Sequence, residues 1–240
     1  MRLKSSVSLF IFFALALPSK GQSTDSIATK AIYKKSILPA ALIGVGALMS
    51  GSDFEHRLNT NIRDAVGNTY QVSIDDYAQY APVATLYLAD VLGVESKHHW
   101  FDQTKYLLIS NVISAGITHT LKNVISKTRP NGFDYAFPSG HTTLAFTNAA
   151  VLYNEFSETV PLVAYSGYAF AVTTGTFRML NNKHWLSDVL VGAGIGMAVT
   201  HLVYYFEPLK NFNPFKKAKG VSLVPYANSD EYGFYFSYRF

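Results

Sequence analysis

A succession of apolar segments, at residues 37–51, 80–94, 106–121, 142–153, 159–177 and 185–206, limits what this chain can fold into more than any other feature. They are long for strands, and the later ones lack strict alternation, so they read as helices. Glycine and alanine recur inside them (Gly44, Gly46, Ala115, Gly116, Gly192, Gly194 and Gly196), which suits helices that approach closely in a membrane. Only 159–177 and 185–206 clearly reach the length of a bilayer span. The expected fold is all-α: a membrane-embedded bundle of about six helices over residues 36–210. A mean hydropathy of +0.12 is modest for a membrane bundle and keeps a soluble one open.

Charged residues make up only 15% of the chain, against about a quarter in soluble domains, which excludes a disordered or linker-dominated protein. The formal net charge of +4 suits anionic partners: membrane surfaces, phosphates or nucleic acid. Cysteine is absent, which excludes thiol nucleophiles, disulfide scaffolds and cysteine-ligated metals.

At the N-terminus, Arg2 and Lys4 precede an uncharged run over 5–19, short for a span, and small residues Ser19 and Gly21 stand before Gln22. That reads as a signal peptide over 1–21, with an uncleaved first helix as the alternative. A polar N-terminal segment, 22–35, follows. The stretch 52–79 is polar and partly acidic. Its adjacent Asp75 and Asp76 read as a solvated loop or helix cap before a metal site, because no second ligand cluster stands at a recognisable spacing. The tail, 211–240, carries Lys216, Lys217 and Lys219, which mark the cytoplasmic end if the preceding helix spans. Residues 221–224 and 232–240 alternate aromatic with smaller or polar residues around Asn228, Ser229 and Asp230, as a short C-terminal β-hairpin would.

Three clusters carry chemistry. Lys122 and Arg129 are seven apart, two turns along one face of a helix that Pro130 would end. Pro138, Ser139, Gly140 and His141 stand directly before an apolar helical run, where backbone N–H groups and the helix dipole favour an anion. Arg178 is followed by His184 and Asp188, whose spacing of four lets the carboxylate hold an imidazole nitrogen. Singly, each has an ordinary structural explanation: an interfacial charge pair, a turn with its cap, a hydrogen-bonded His–Asp pair. Together they supply what phosphoryl transfer requires: charge stabilisation, a nucleophile and a proton donor.

In order and spacing, Lys122-x6-Arg129-Pro130, Pro138-Ser139-Gly140-His141 and Arg178-x5-His184-x3-Asp188 resemble the motifs of the type 2 phosphatidic acid phosphatase (PAP2) superfamily. That superfamily also contains bacterial class A acid phosphatases and vanadium haloperoxidases. The resemblance implies a catalytic set of His184 as nucleophile, Asp188 as its orienting carboxylate and His141 as general acid, then base. It implies phosphate binding by Lys122, Arg129, Ser139, Gly140 and Arg178. It implies no metal and no cofactor, because fixed cations take the place of magnesium. Where the family usually has Ser before the arginine of its third motif, Phe177 stands here, so one hydroxyl contact to phosphate is missing. Weaker binding or an altered preference is expected, with the chemistry kept.

The apolar flanks favour a lipid phosphate: phosphatidic acid, phosphatidylglycerol phosphate, undecaprenyl pyrophosphate or a phosphate of lipid A. The stretch 75–82, with His184-Trp185-Leu186-Ser187-Asp188, resembles a subgroup of small envelope phosphatases that includes lipid A phosphatases. The family places its motifs on the outer side of the membrane, so the site is expected to face the periplasm. Counting back, the segment 37–51 then starts in the cytoplasm, which a cleaved signal contradicts unless one short segment does not span. The alternatives are a soluble periplasmic acid phosphatase, a vanadate haloperoxidase and a non-catalytic membrane protein. Nucleic acid is not an expected partner, because the basic residues form no aromatic-interleaved surface motif.

Overall fold

A computed structural model describes residues 25–214, 221–227 and 231–238. The expected signal peptide at 1–21, Lys216, Lys217 and Lys219 lie outside the described residues. The helices among them are α1 (Asp25–Met49), α2 (Asp53–Val66), α3 (Ile74–Ala78), α4 (Ala81–Val91), α5 (Trp100–Ile125), α6 (Gly140–Phe156), α7 (Pro161–Leu180) and α8 (Leu186–Phe206). Each apolar segment of the sequence becomes a helix. The two beyond the expected six, α2 and α3, come from the polar stretch 52–79.

Helix α2 forms because Ser52 caps it, accepting from Glu55 N at 3.2 Å, while Asp53 and Glu55 in the first turn meet the helix dipole. Phe54, Leu58 and Ile62 recur at intervals of four, which makes it amphipathic. Helix α1 begins inside the polar N-terminal segment, not after it.

Helix α6 is the centre of the bundle and is buried on nearly all sides, with α7 and α8 packed along it. Phe146, Ala149, Ala171, Ala193 and Met197 join these three helices in one core cluster. Tyr106, Phe137, Val191, Ile195 and Val199 join α5 to α8. The glycines of α8 set how close its neighbours come. A Cβ at Gly196 would stand 2.6 Å from Thr143 O on α6, and one at Gly194 would stand 2.7 Å from Pro39 O on α1. Both lie well inside contact distance, so only glycine permits these approaches. Gly44 and Gly116 face open space instead.

Among the described residues, two helical stretches are long and apolar enough to cross a membrane, Ile32–Met49 and Leu186–Phe206. The second was expected and the first was not. Helix α7, which covers the other expected span, is not among them: Ser166, Thr173, Thr174, Thr176 and Arg178 dilute its apolar character. In the C-terminal tail, β1 (Val221–Ala227) and β2 (Tyr232–Tyr238) pair antiparallel, with Leu223 opposite Phe236.

Candidate active site

Helices α6 and α8 both begin at one end of the bundle, and a backbone hydrogen bond from Ser139 N to Asp188 O, at 2.9 Å, ties their starts together. Helix α5 delivers Lys122 to the same end. It stops at Ile125, where Ser126 turns left-handed with φ 46°, so Arg129 does not share a helix face with Lys122 as the spacing of seven suggested. Arg129 instead projects from the following loop, whose shape is fixed by Arg129 N donating to Phe133 O at 2.7 Å.

His184 also precedes its helix. Trp185 is the N-cap of α8, and Asp188 at the third position accepts from Trp185 N at 2.9 Å through Oδ2. The same oxygen lies 3.4 Å from His184 Nδ1. One carboxylate thus caps the helix and orients the imidazole. Asp188 and His184 are both buried, at 0% and 2% exposure. Burial is the main cause that drives the His184 pKa down to about 4, with Arg178 and Lys122 adding to it and Asp188 opposing it. The ring is therefore neutral at neutral pH, as a nucleophile must be.

Ser139 caps α6, as a Pro-Ser-Gly turn predicts, and its buried hydroxyl accepts from Thr142 Oγ1 at 2.9 Å. Gly140 opens the helix, and Lys122 passes over it: a Cβ there would lie 3.9 Å from Lys122 Cε. Lys122 Nζ donates to Tyr135 O at 2.6 Å. Arg178 Nη1 donates to Asp75 Oδ2 at 2.7 Å. Arg129 Nε and Arg178 Nε are buried and bond to nothing. Burial first, and then the Arg178 charge, lower the Arg129 pKa, which places the two guanidiniums within each other's field. Buried cationic donors without acceptors suit an anion. All the expected site residues thus meet at one end of the bundle.

Side chains that the motifs do not include complete this end. Both aspartates stand in the first turn of α3, and Asp76 stays about half exposed, but Asp75 is not solvated. Asp75 is fully buried, pairs with Arg178 and accepts from Asn181 Nδ2 at 2.8 Å. Asp76 Oδ1 lies 3.1 Å from His141 Nε2. Burial and Arg178 lower the His141 pKa, and Asp76 works against both. The adjacency of the two aspartates was the available signal. What hid their role is that their partners lie far along the chain. Glu55 and Lys127 stand behind Asp188, with Lys127 Nζ 3.0 Å from Asp188 Oδ1 and 3.1 Å from Glu55 Oε2.

The other histidines have separate surroundings. His98 Nδ1 lies 3.0 Å from Glu155 Oε1, His99 caps α5, His56 packs edge-on to Trp185, His201 is buried near Asn154, and His119 is exposed. Among the described residues, no group of three or more His, Asp or Glu side chains is arranged to hold a metal ion. A groove of about 350 Å³ opens beside Lys122 and Gly140 and runs along α5 past His119, Thr118 and Asn111.

The sequence profile of the PAP2 superfamily matches residues 131–212, which hold Ser139, Gly140, His141, Arg178, His184 and Asp188. The chain is 28% identical over 167 residues to a lipid A 1-phosphatase of Porphyromonas gingivalis. That alignment covers 68% of this chain and 38% of the relative, so the chain spans about two-fifths of that protein's length. Among solved structures it is similar to the transmembrane PAP2 type phosphatidylglycerolphosphate phosphatase from Bacillus subtilis. The TM-score is 0.52 at 18% identity, over 74% of this chain and 98% of that one. The LpxE structure from Aquifex aeolicus superposes with a TM-score of 0.45 at 19% identity, over 62% of this chain and 93% of that one. The Bacillus likeness shows the fold: a helical bundle of the PAP2 type.

Proposed function

Because residues 131–212 match the PAP2 superfamily and carry most of the motif side chains, we propose that this chain is a metal-independent phosphatase acting on phosphate groups of membrane lipids. The observation that carries the reading is the meeting of a buried neutral imidazole, held by Asp188, with the unpaired guanidinium donors of Arg129 and Arg178 at the start of α6. A phosphate seated on Lys122, Arg129, Arg178 and the first N–H groups of α6 has its charge spread over fixed donors.

In the first step His184 attacks phosphorus through Nε2, since Nδ1 faces Asp188. The bond from phosphorus to the leaving oxygen breaks, and that oxygen takes a proton from His141. Asp76 supports the protonated form of His141. In the second step His141 takes a proton from water, the water oxygen bonds to phosphorus, and the phosphohistidine bond breaks to release inorganic phosphate. Asp188 holds the tautomer and balances the positive ring throughout.

Lipid substrates are supported by large apolar side chains that face outward, among them Leu48, Val91, Val112, Leu162 and Val172. The two stretches of spanning length support a place in the membrane, and we place the motif end toward the periplasm, as the PAP2 resemblance implies. Within this class the relative from Porphyromonas gingivalis favours a phosphate of lipid A, ahead of phosphatidic acid or phosphatidylglycerol phosphate.

Phosphate release from lipid A, phosphatidic acid and phosphatidylglycerol phosphate, by purified protein in detergent with EDTA, tests the reading beside a His184→Ala variant. Release that persists in EDTA and vanishes in the variant is expected. Release abolished by EDTA, or retained without His184, overturns it.

A further inference from the structure

Two charged residues behind His184 and Asp188, Glu55 and Lys127, have no part in the steps above. Glu55 on α2 is 1% exposed and accepts from Gly51 N at 2.7 Å, from Ser187 N at 3.0 Å and from the Ser187 hydroxyl. Lys127, in the turn after α5, donates to both Glu55 oxygens, at 3.2 and 3.1 Å, to Ser187 Oγ at 2.8 Å and to Asp188 Oδ1 at 3.0 Å. The rings of Phe137 and Trp185 flank its ammonium, at 5.8 and 5.6 Å. A lysine held this firmly does not bind phosphate. It is spent on the carboxylate that holds the nucleophile.

The charges sum in a telling way. Two buried carboxylates, Glu55 and Asp188, face one ammonium, Lys127, so the group carries a single negative charge beside a neutral His184. When His184 bonds to phosphorus and keeps its Nδ1 proton, the ring becomes positive and the group is neutralised. Removing Lys127 would double the negative charge and draw a proton onto resting His184, which blocks the attack. Removing the Glu55 charge would leave Asp188 offset by Lys127, so that the group has no net negative charge to balance the ring once it becomes positive. Other charged or titratable groups at this end are Lys122 on α5, Arg129 in the loop, Arg178 on α7 with Asp75, His141 on α6 with Asp76, and His56 on α2. None of these touches the far oxygen of Asp188, which Lys127 and Ser187 occupy.

We propose that Lys127 and Glu55 are positioning residues that fix the net charge behind the nucleophile, Lys127 keeping His184 unprotonated at rest and Glu55 stabilising its phosphorylated form. The proposal rests on the phosphohistidine reading. The test is the pH dependence of kcat with dioctanoyl phosphatidic acid in detergent and EDTA, for Lys127→Met, Lys127→Arg, Glu55→Gln and the Lys127→Met/Glu55→Gln double variant. Substrate titration is common to all of them. In Lys127→Met the acidic limb moves up by about one pH unit or more, the size of shift a nearby charge causes. The double variant brings it back toward the wild type, Lys127→Arg leaves it in place, and the basic limb, set by His141, does not move. Acidic limbs that coincide in every variant, whatever the loss of rate, overturn the proposal and leave the group a purely structural brace. If Lys127→Met does not accumulate as folded protein, Glu55→Gln decides. A kcat about tenfold lower at unchanged KM together with an acidic limb moved to lower pH supports the proposal, and an acidic limb in the wild-type place overturns it. Retained turnover in His184→Ala would instead sink the phosphohistidine reading, a failure visible without any of these variants.

Discussion

At the far end of the bundle, where α5 begins and α6 and α8 finish, buried charges are matched. Glu155 accepts from His98 N at 3.0 Å, from the His98 ring and from the Tyr204 hydroxyl, while Asp102 pairs with Lys105 at 2.9 Å. At the near end, Asp75, Asp188 and Glu55 sit behind the site, paired with Arg178 and Lys127. Lys122 meets only a backbone carbonyl, and no carboxylate among the described residues pairs with Arg129. Partnered carboxylates at the far end close the structure. At the near end the same residue types are arranged as a backing that leaves a cationic face outward. Unmatched buried cations lower stability, and a fold keeps them where an anion completes them.

Variants at the two ends can break this contrast. The largest effect is expected for His141→Ala, with kcat on a lipid monoester falling about 10³-fold as proton donation to the leaving oxygen is lost, read by steady-state phosphate release. Arg178→Ala should lower kcat/KM roughly 10²-fold and also unfold the protein at lower temperature, because Asp75 is left buried and unpaired. Adding Asp75→Asn should restore the melting temperature but not the activity. At the far end, Glu155→Gln should lower stability by about 2 kcal/mol and leave turnover within about twofold. An equal loss of activity there would mean that the two ends are not separate in function.

A pH effect on stability follows from His184. Its folded pKa of about 4 lies below the ordinary value of 6.5, so between these the unfolded chain binds the extra proton. Stability should therefore be full above pH 6.5 and fall as pH drops toward 4, by up to about 1.4 kcal/mol per pH unit from this group. His184→Gln should flatten that part of a denaturation series taken across the window.

The helices and the residues expected at the site were legible because both are written in local order. Apolar stretches mark the helices, and the spacings from Lys122 to Asp188 mark the motifs. The sequence suggested His184 and Asp188 as neighbours on a helix face. The structure keeps them neighbours through a cap, because Trp185 turns the chain just before α8. Lys122 and Arg129 likewise meet although the helix between them ends. Asp75, Asp76, Glu55 and Lys127 were not legible as site residues, since their partners stand 60 to 132 positions away and no periodicity records such pairs. In sequence a polar stretch with scattered acids looks the same whether its carboxylates reach solvent or turn inward under Arg178.

The central claim, that His184 becomes covalently phosphorylated, is tested most directly by trapping. Protein in EDTA would be mixed with phosphatidic acid carrying radioactive phosphate, quenched in alkali and separated from lipid. The account predicts alkali-stable, acid-labile phosphate on the wild type and none on His184→Ala. Label of equal amount on His184→Ala, or turnover by the wild type with no label at any quench time, would contradict it.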